Sequence, residues 1–166
     1  MNHNEIVTKL IKWMTSFVEV PNPKLGNWPP CPYARQARVN NKMEIVYSPH
    51  DIIPAIVEQN LHKLETDKDV IIVYFDHKMI QPDALADLVQ SYNQNFLMGR
   101  NYVALEDHPD SAEYVNGVCM NFGECGLLIV SKLDKLNSAS YNLREKGYYE
   151  SWSFEELDSV VTWRHK

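Results

Sequence analysis

No stretch of this sequence approaches the ~18 consecutive apolar residues that a bilayer-spanning helix needs. Its three cysteines, at 31, 119 and 125, form no even-numbered framework, which argues against a small disulfide-stapled module and for a reducing compartment. Neither Gly-x-Gly-x-x-Gly nor Gly-Lys-Ser/Thr occurs, so the common nucleotide-binding loops are absent and no cofactor is expected. Positive charge is scarce as well. Sixteen Lys+Arg against 22 Asp+Glu leave a formal charge of −6, which speaks against an extended phosphate-binding surface and hence against nucleic acid as a partner. Internal repeats and low-complexity tracts are missing, and the opening Met-Asn-His-Asn-Glu has no basic region leading into an apolar block. These absences predict a cytoplasmic protein with no membrane partner.

What is present is enough for one core: 166 residues, 45% apolar and 23% charged. Ile6, Leu10, Trp13 and Phe17 share one face of a helix predicted over 5–18, with Asn4 as N-cap. Residues 21–34 come next as a stiff connector that carries five of the nine prolines, a density that neither a helix nor a central strand tolerates. Leu25, Trp28, Cys31 and Tyr33 within it are side chains expected to pack on the body. An α/β core over 35–147 is expected after it, then an aromatic C-terminal cap over 148–166.

Within that core, short β-rich runs alternate with helical patterns. Strands are predicted at 43–47, 69–75, 102–105 and 126–130, and helices at 51–64, 82–97 and 134–146. Ile52, Ile56, Leu61 and Leu64 form the inward set of the first of these helices. Pro82 suits a first helical turn, while Gly99 and Gly147 serve as stops. Ser153 and Glu156 have the spacing of a capping box. The predicted fold is therefore a single-domain α/β sandwich, with a mixed, mostly parallel sheet of about four strands whose last strand is free to run antiparallel. Loops leaving the carboxyl ends of its strands form the expected ligand rim.

Three constellations on that rim could carry chemistry. His50, His77 and His108 each come after a predicted strand beside a carboxylate, a donor set suited to zinc or iron if the strands are adjacent, although polar turns and helix caps use the same residues. Cys31 lies between Pro30 and Pro32 with Arg35 and Arg38 nearby. Paired with His108 as acid/base and Asp110 or Asp107 to orient the ring, it would be an activated nucleophile; alone, it is a small hydrophobe anchoring the connector. Asn116 and Asn121 lie in a Gly- and Cys-containing segment before the last strand. With Tyr33, Arg35 and Arg38 they are the expected substrate contacts, the arginines forming a clamp for an anionic group. Cys119 and Cys125, six apart, are a weak zinc pair.

The order Cys31-Pro32-Tyr33-Ala34, an apolar strand at 70–75, and His108-Pro109 resembles a family of bacterial proteins of unknown function marked by Cys-Pro-Phe-Ala or Cys-Pro-Phe-Val and a later His-Pro. Tyr33 stands where that family usually has Phe, and residues 121–126 depart from its Ser-Pro-x-Pro stretch. The resemblance brings no settled activity. The sequence leaves three functional expectations: a small enzyme or enzyme-like binder of an anionic small molecule, a non-catalytic interaction module able to form a homo-oligomer, or a metal-dependent enzyme of the histidine rim.

Overall fold

In a computed structural model, residues 1–49 and 52–165 are described. The helices are α1 (His3–Trp13), α2 (Ala34–Val39), α3 (Ile53–Thr66), α4 (Pro82–Tyr92), α5 (Leu133–Glu145) and α6 (Phe154–Val160). The strands are β1 (Met43–Tyr47), β2 (Val70–Phe75), β3 (Tyr102–Asp107), β4 (Tyr114–Val115), β5 (Val118–Cys119) and β6 (Gly126–Lys132). Four strands form one mixed sheet in the order β1-β2-β6-β3, as expected for the α/β class. β1, β2 and β3 point the same way, yet only β1 and β2 are parallel neighbours, because β6 enters antiparallel between β2 and β3. The expectation of largely parallel pairing is corrected accordingly. Its physical reason is the position of β6, which takes the central place that a parallel β3 would have filled beside β2.

Both faces of β2 are covered, as its continuous apolar run requires. Ile71, Val73 and Phe75 join Ala104, Leu128 and Val130 against Val57 and Leu64 of α3 and Leu85 and Val89 of α4. Ile72 and Tyr74 turn to the other face, where Ile6 and Leu10 of α1 meet Phe122, Cys125 and Leu127. Each such fully buried aliphatic contributes about 1.5–3 kcal/mol relative to exposure. At Gly126 the sheet admits no side chain, since an added Cβ would lie 2.2 Å from Cε2 of Phe75, its cross-strand partner.

Several local expectations shift by a residue or more. Asn2, not Asn4, caps α1, its side chain accepting the Asn4 amide. α1 continues as a π-helical turn over Met14–Val18, and α4 as another over Asn93–Leu97. The stop after α4 is Asn101, in the left-handed region at φ 65°, rather than Gly99. Gly147, at φ 84°, does follow α5, and the capping box of Ser153 and Glu156 forms. Ile52 is exposed, whereas Leu64 is buried and Ile56 and Leu61 pack, partly buried, on the core; Ile53 and Val57 complete the inward side of α3. The connector packs in part: Leu25 is buried, Trp28 meets the ring of Tyr148, and the Tyr148 hydroxyl donates to the carbonyl of Pro30, whereas Cys31 and Tyr33, also expected to pack, are exposed. The short hairpin β4–β5 turns at Asn116-Gly117, both with positive φ, the conformation that a type I′ turn needs. No described helix is long and apolar enough to cross a membrane.

Candidate functional site

A cavity of about 800 Å³ lies along the outer edge of β3. Ala86, Val89 and Gln90 of α4, residues 105–108 of β3 and the loop after it, and Ser159, Val160 and Trp163 of the C-terminal segment are among its lining. The C-terminal segment is held by Arg164, 4% exposed, whose guanidinium donates to Ser140 Oγ at 2.7 Å. The edge itself is partly closed by Asn93. Its Nδ2 donates to the Ala104 carbonyl at 2.9 Å and its Oδ1 accepts the Ala104 amide at 2.8 Å, so one side chain takes the place of a neighbouring strand.

Three carboxylates line this space, Glu106, Asp107 and Glu113, and no Lys or Arg is among its described lining residues. Burial pushes Glu106 above the ordinary carboxylate range. The same cause raises Asp107, against the opposing pull of the Phe122 amide and the Asn121 side chain. Glu113 is raised by burial and then by the negative charges of Asp107 and Glu106. Glu106 and Glu113 are both open to solvent and surrounded by protein atoms, the condition of groups on the wall of a water-filled cleft.

Asn121 organises the acidic loop. Its Nδ2 donates to Asp107 Oδ1 at 2.9 Å and to the carbonyls of Ser111 and His108 at 3.1 and 3.2 Å, while its Oδ1 accepts the Glu113 amide. Asp107 Oδ2 accepts the Phe122 amide at 2.9 Å. His108 is buried and both ring nitrogens are engaged by main chain. Nε2 lies 2.9 Å from the Ile80 carbonyl and 3.1 Å from that of His77, and Nδ1 accepts the Asp110 amide at 3.1 Å. That set fits a ring with its proton on Nε2, acting as a clip between the loop after β3 and the turn after β2.

The expected nucleophile and base are not brought together: no described hydrogen bond, ring contact or cavity joins Cys31 to His108. The amide of Cys31 donates to the Val18 carbonyl at 3.0 Å. The residue is exposed, but its thiol has protein atoms around it, and burial pushes the thiol above its ordinary value; the Tyr33 and Ala34 amides oppose that rise and the Glu19 charge adds to it. A thiolate is therefore disfavoured there. The cation expected to favour it, Arg38, is committed to Glu19 through bonds of 2.6 and 2.9 Å. Arg35 lines a separate surface hollow beside Pro32, and Tyr33 another beside Ala139. Thus Tyr33, Arg35 and Arg38 do not converge as an anion clamp on the large cavity.

Asp110 contributes its amide to His108, so a carboxylate orienting the imidazole is absent from the ring's hydrogen bonds among the described residues. Asn116 donates Nδ2 to the Ser151 carbonyl at 2.8 Å and its amide to Glu156, tying the hairpin to the C-terminal segment outside the cavity. Of the histidine rim, His77 and His108 do meet, ring centroids 5.7 Å apart and edge to face. His50 lies outside the described residues. No group of three potential metal ligands occurs among the described residues. Cys125 is buried and pushed up to about 12 chiefly by that burial, whereas Cys119 is exposed beside Asn121. Sequence reasoning misses Glu106 and Glu113. The available signal is an acidic residue directly after the apolar run 102–105 and another directly before Tyr114.

The chain matches no family model, no curated protein and no solved structure.

Proposed function

We propose that this chain is a binding protein for a small cationic ligand, held in the cavity along β3 by Glu106 and Glu113 and flanked by the Trp163 ring. The observation that carries this reading is the sign of the lining: three carboxylates, and no Lys or Arg among the described lining residues, around about 800 Å³, a volume within the ~300–1,000 Å³ usual for small-molecule sites. Carboxylates held above their ordinary range gain from a cation, which restores the interaction that desolvation removes. Gln90 and Gln94 add neutral hydrogen-bonding groups, and an indole face accepts an ammonium group through its quadrupole. Cys31 and His108 have structural roles in this reading, and the charge expected of the ligand is opposite to that inferred from Arg35 and Arg38.

The test is a calorimetric titration with 1,4-diaminobutane at low salt, repeated with succinate. The diamine should bind saturably and the dicarboxylate should not. Glu106→Gln with Glu113→Gln should weaken the diamine by about tenfold or more, since charge-assisted hydrogen bonds carry ~1.5–3 kcal/mol each. Binding of succinate, or diamine binding indifferent to both substitutions, refutes the reading.

A further inference from the structure

The main chain beside the carboxylates narrows the ligand class, a step that rests on the cationic reading of the cavity. β3 is an edge strand, and Asn93 closes its outer side at Ala104 alone. In an antiparallel ladder, successive residues turn their N–H and C=O alternately toward the partner strand and away from it. Ala104 turns away from β6, so Glu106, two residues on, presents its main-chain groups in the same direction, past the reach of Asn93 and into the cavity. The Glu106 amide meets only its own carboxylate, and its carbonyl has no partner among the hydrogen bonds of the described residues. The cleft thus offers, on a strand edge, an open acceptor and a donor engaged only by its own side chain, with acidic side chains beside them and Trp163 in the lining.

We propose that the cleft takes a short, extended, basic peptide segment, which adds its main chain to the edge of β3 at Glu106 and lays a lysine or arginine side chain against Glu106 and Glu113. Addition of a strand to a sheet edge draws affinity from main-chain hydrogen bonds and selectivity from the pockets that receive alternate side chains. Here the pocket chemistry selects positive charge. A diamine satisfies the carboxylates but leaves the Glu106 carbonyl unpaired, so a peptide is the fuller match.

The experiment is an amide-detected NMR titration of the full chain with three probes: acetyl-Ala-Lys-Ala-Lys-Ala-amide, the same peptide N-methylated on either alternating set of amides, and 1,4-diaminobutane. The peptide should bind about tenfold or more tighter than the diamine, the gain expected of one or two added hydrogen bonds. It should shift the Glu106 amide, and one of the two N-methylated forms should lose that gain. Equal affinity for peptide and diamine, tolerance of both methylation patterns, or peptide binding that leaves the Glu106 amide unmoved would overturn the peptide assignment while the cationic reading stands. Failure of every probe to bind removes both.

Discussion

Replacing Gly126 with Ala tests how tightly the sheet is packed at the start of β6. The new methyl would lie 2.2, 2.5 and 2.9 Å from Cε2, Cζ and Cδ2 of Phe75, where carbon atoms normally rest ~3.5–4.0 Å apart. The ring must therefore retreat by roughly an ångström or more to restore that spacing, and it is fully buried among α3, α4 and the sheet. Overpacking of this kind costs about 1–3 kcal/mol. The overlap involves rigid ring atoms, so we take the upper end, about 3 kcal/mol, or about 6–12 °C in Tm for a domain of this length. Phe75→Leu removes the ring atoms that clash. Alone it should cost about 1–3 kcal/mol through the cavity it leaves, and the double variant should match it rather than sum the two losses. Urea unfolding of all four proteins measures the coupling, and the double variant keeps the test alive should Gly126→Ala fail to fold. A Gly126→Ala protein as stable as the parent, or strictly additive losses, would refute the packing account.

Other consequences can be checked as directly. His108→Phe should lower stability by about 2–4 kcal/mol in urea unfolding, because the Ile80 and His77 carbonyls and the Asp110 amide lose their partner; unchanged stability would reopen a role for the imidazole beyond that of a clip. Asn93→Ala should cost a similar amount and release the Ala104 amide to faster hydrogen exchange. Alkylation by iodoacetamide at a pH of about 7.5, with peptide mass analysis as the readout, should label Cys119 well before Cys31; faster labelling of Cys31 would contradict the rise of its thiol by burial. Glu113 has its folded-state pKa raised, so its charged form costs stability above that value, and the cost is relieved as pH falls through the raised range toward the ordinary one. Glu113→Gln should thus raise Tm at about pH 7, and the gain should shrink as the parent is acidified toward the ordinary carboxylate range; a constant gain across that range would contradict the shift.

The elements are readable because their signals are local. Short β-rich apolar runs locate β1 and β2, period-3.6 patterns locate α3 and α4, and Ser153 with Glu156 announces α6. Strand order is not local. Nothing in residues 126–132 states that this strand will part β2 from β3, since an apolar run buried on both faces reads alike in any central position. The β4–β5 hairpin carries a local signal too: Asn116-Gly117 between Val115 and Val118 is the usual sequence of a two-residue turn, though its strands are too short to show a period. In the site, His108, Asp107 and Asn121 stand out from sequence as polar residues clustered after a strand, yet clamps and catalysts use the same side chains there. Only their partners, main-chain groups in nearly every case, separate the two roles.

The position of β6 also bears on how the molecule is made. β1, β2 and β3 are complete once residue 107 has been synthesised, but β2 and β3 share no hydrogen bond, and the strand that joins them spans Gly126–Lys132. A nascent chain therefore exposes an unpaired side of β2, and with it the apolar faces on either side, until the last quarter of the sequence has emerged. At about 5–20 residues per second, that interval lasts about one to several seconds. Closure of the sheet is a late event that inserts one strand between two waiting ones, and truncation anywhere before residue 126 should leave an aggregation-prone fragment rather than a smaller folded protein.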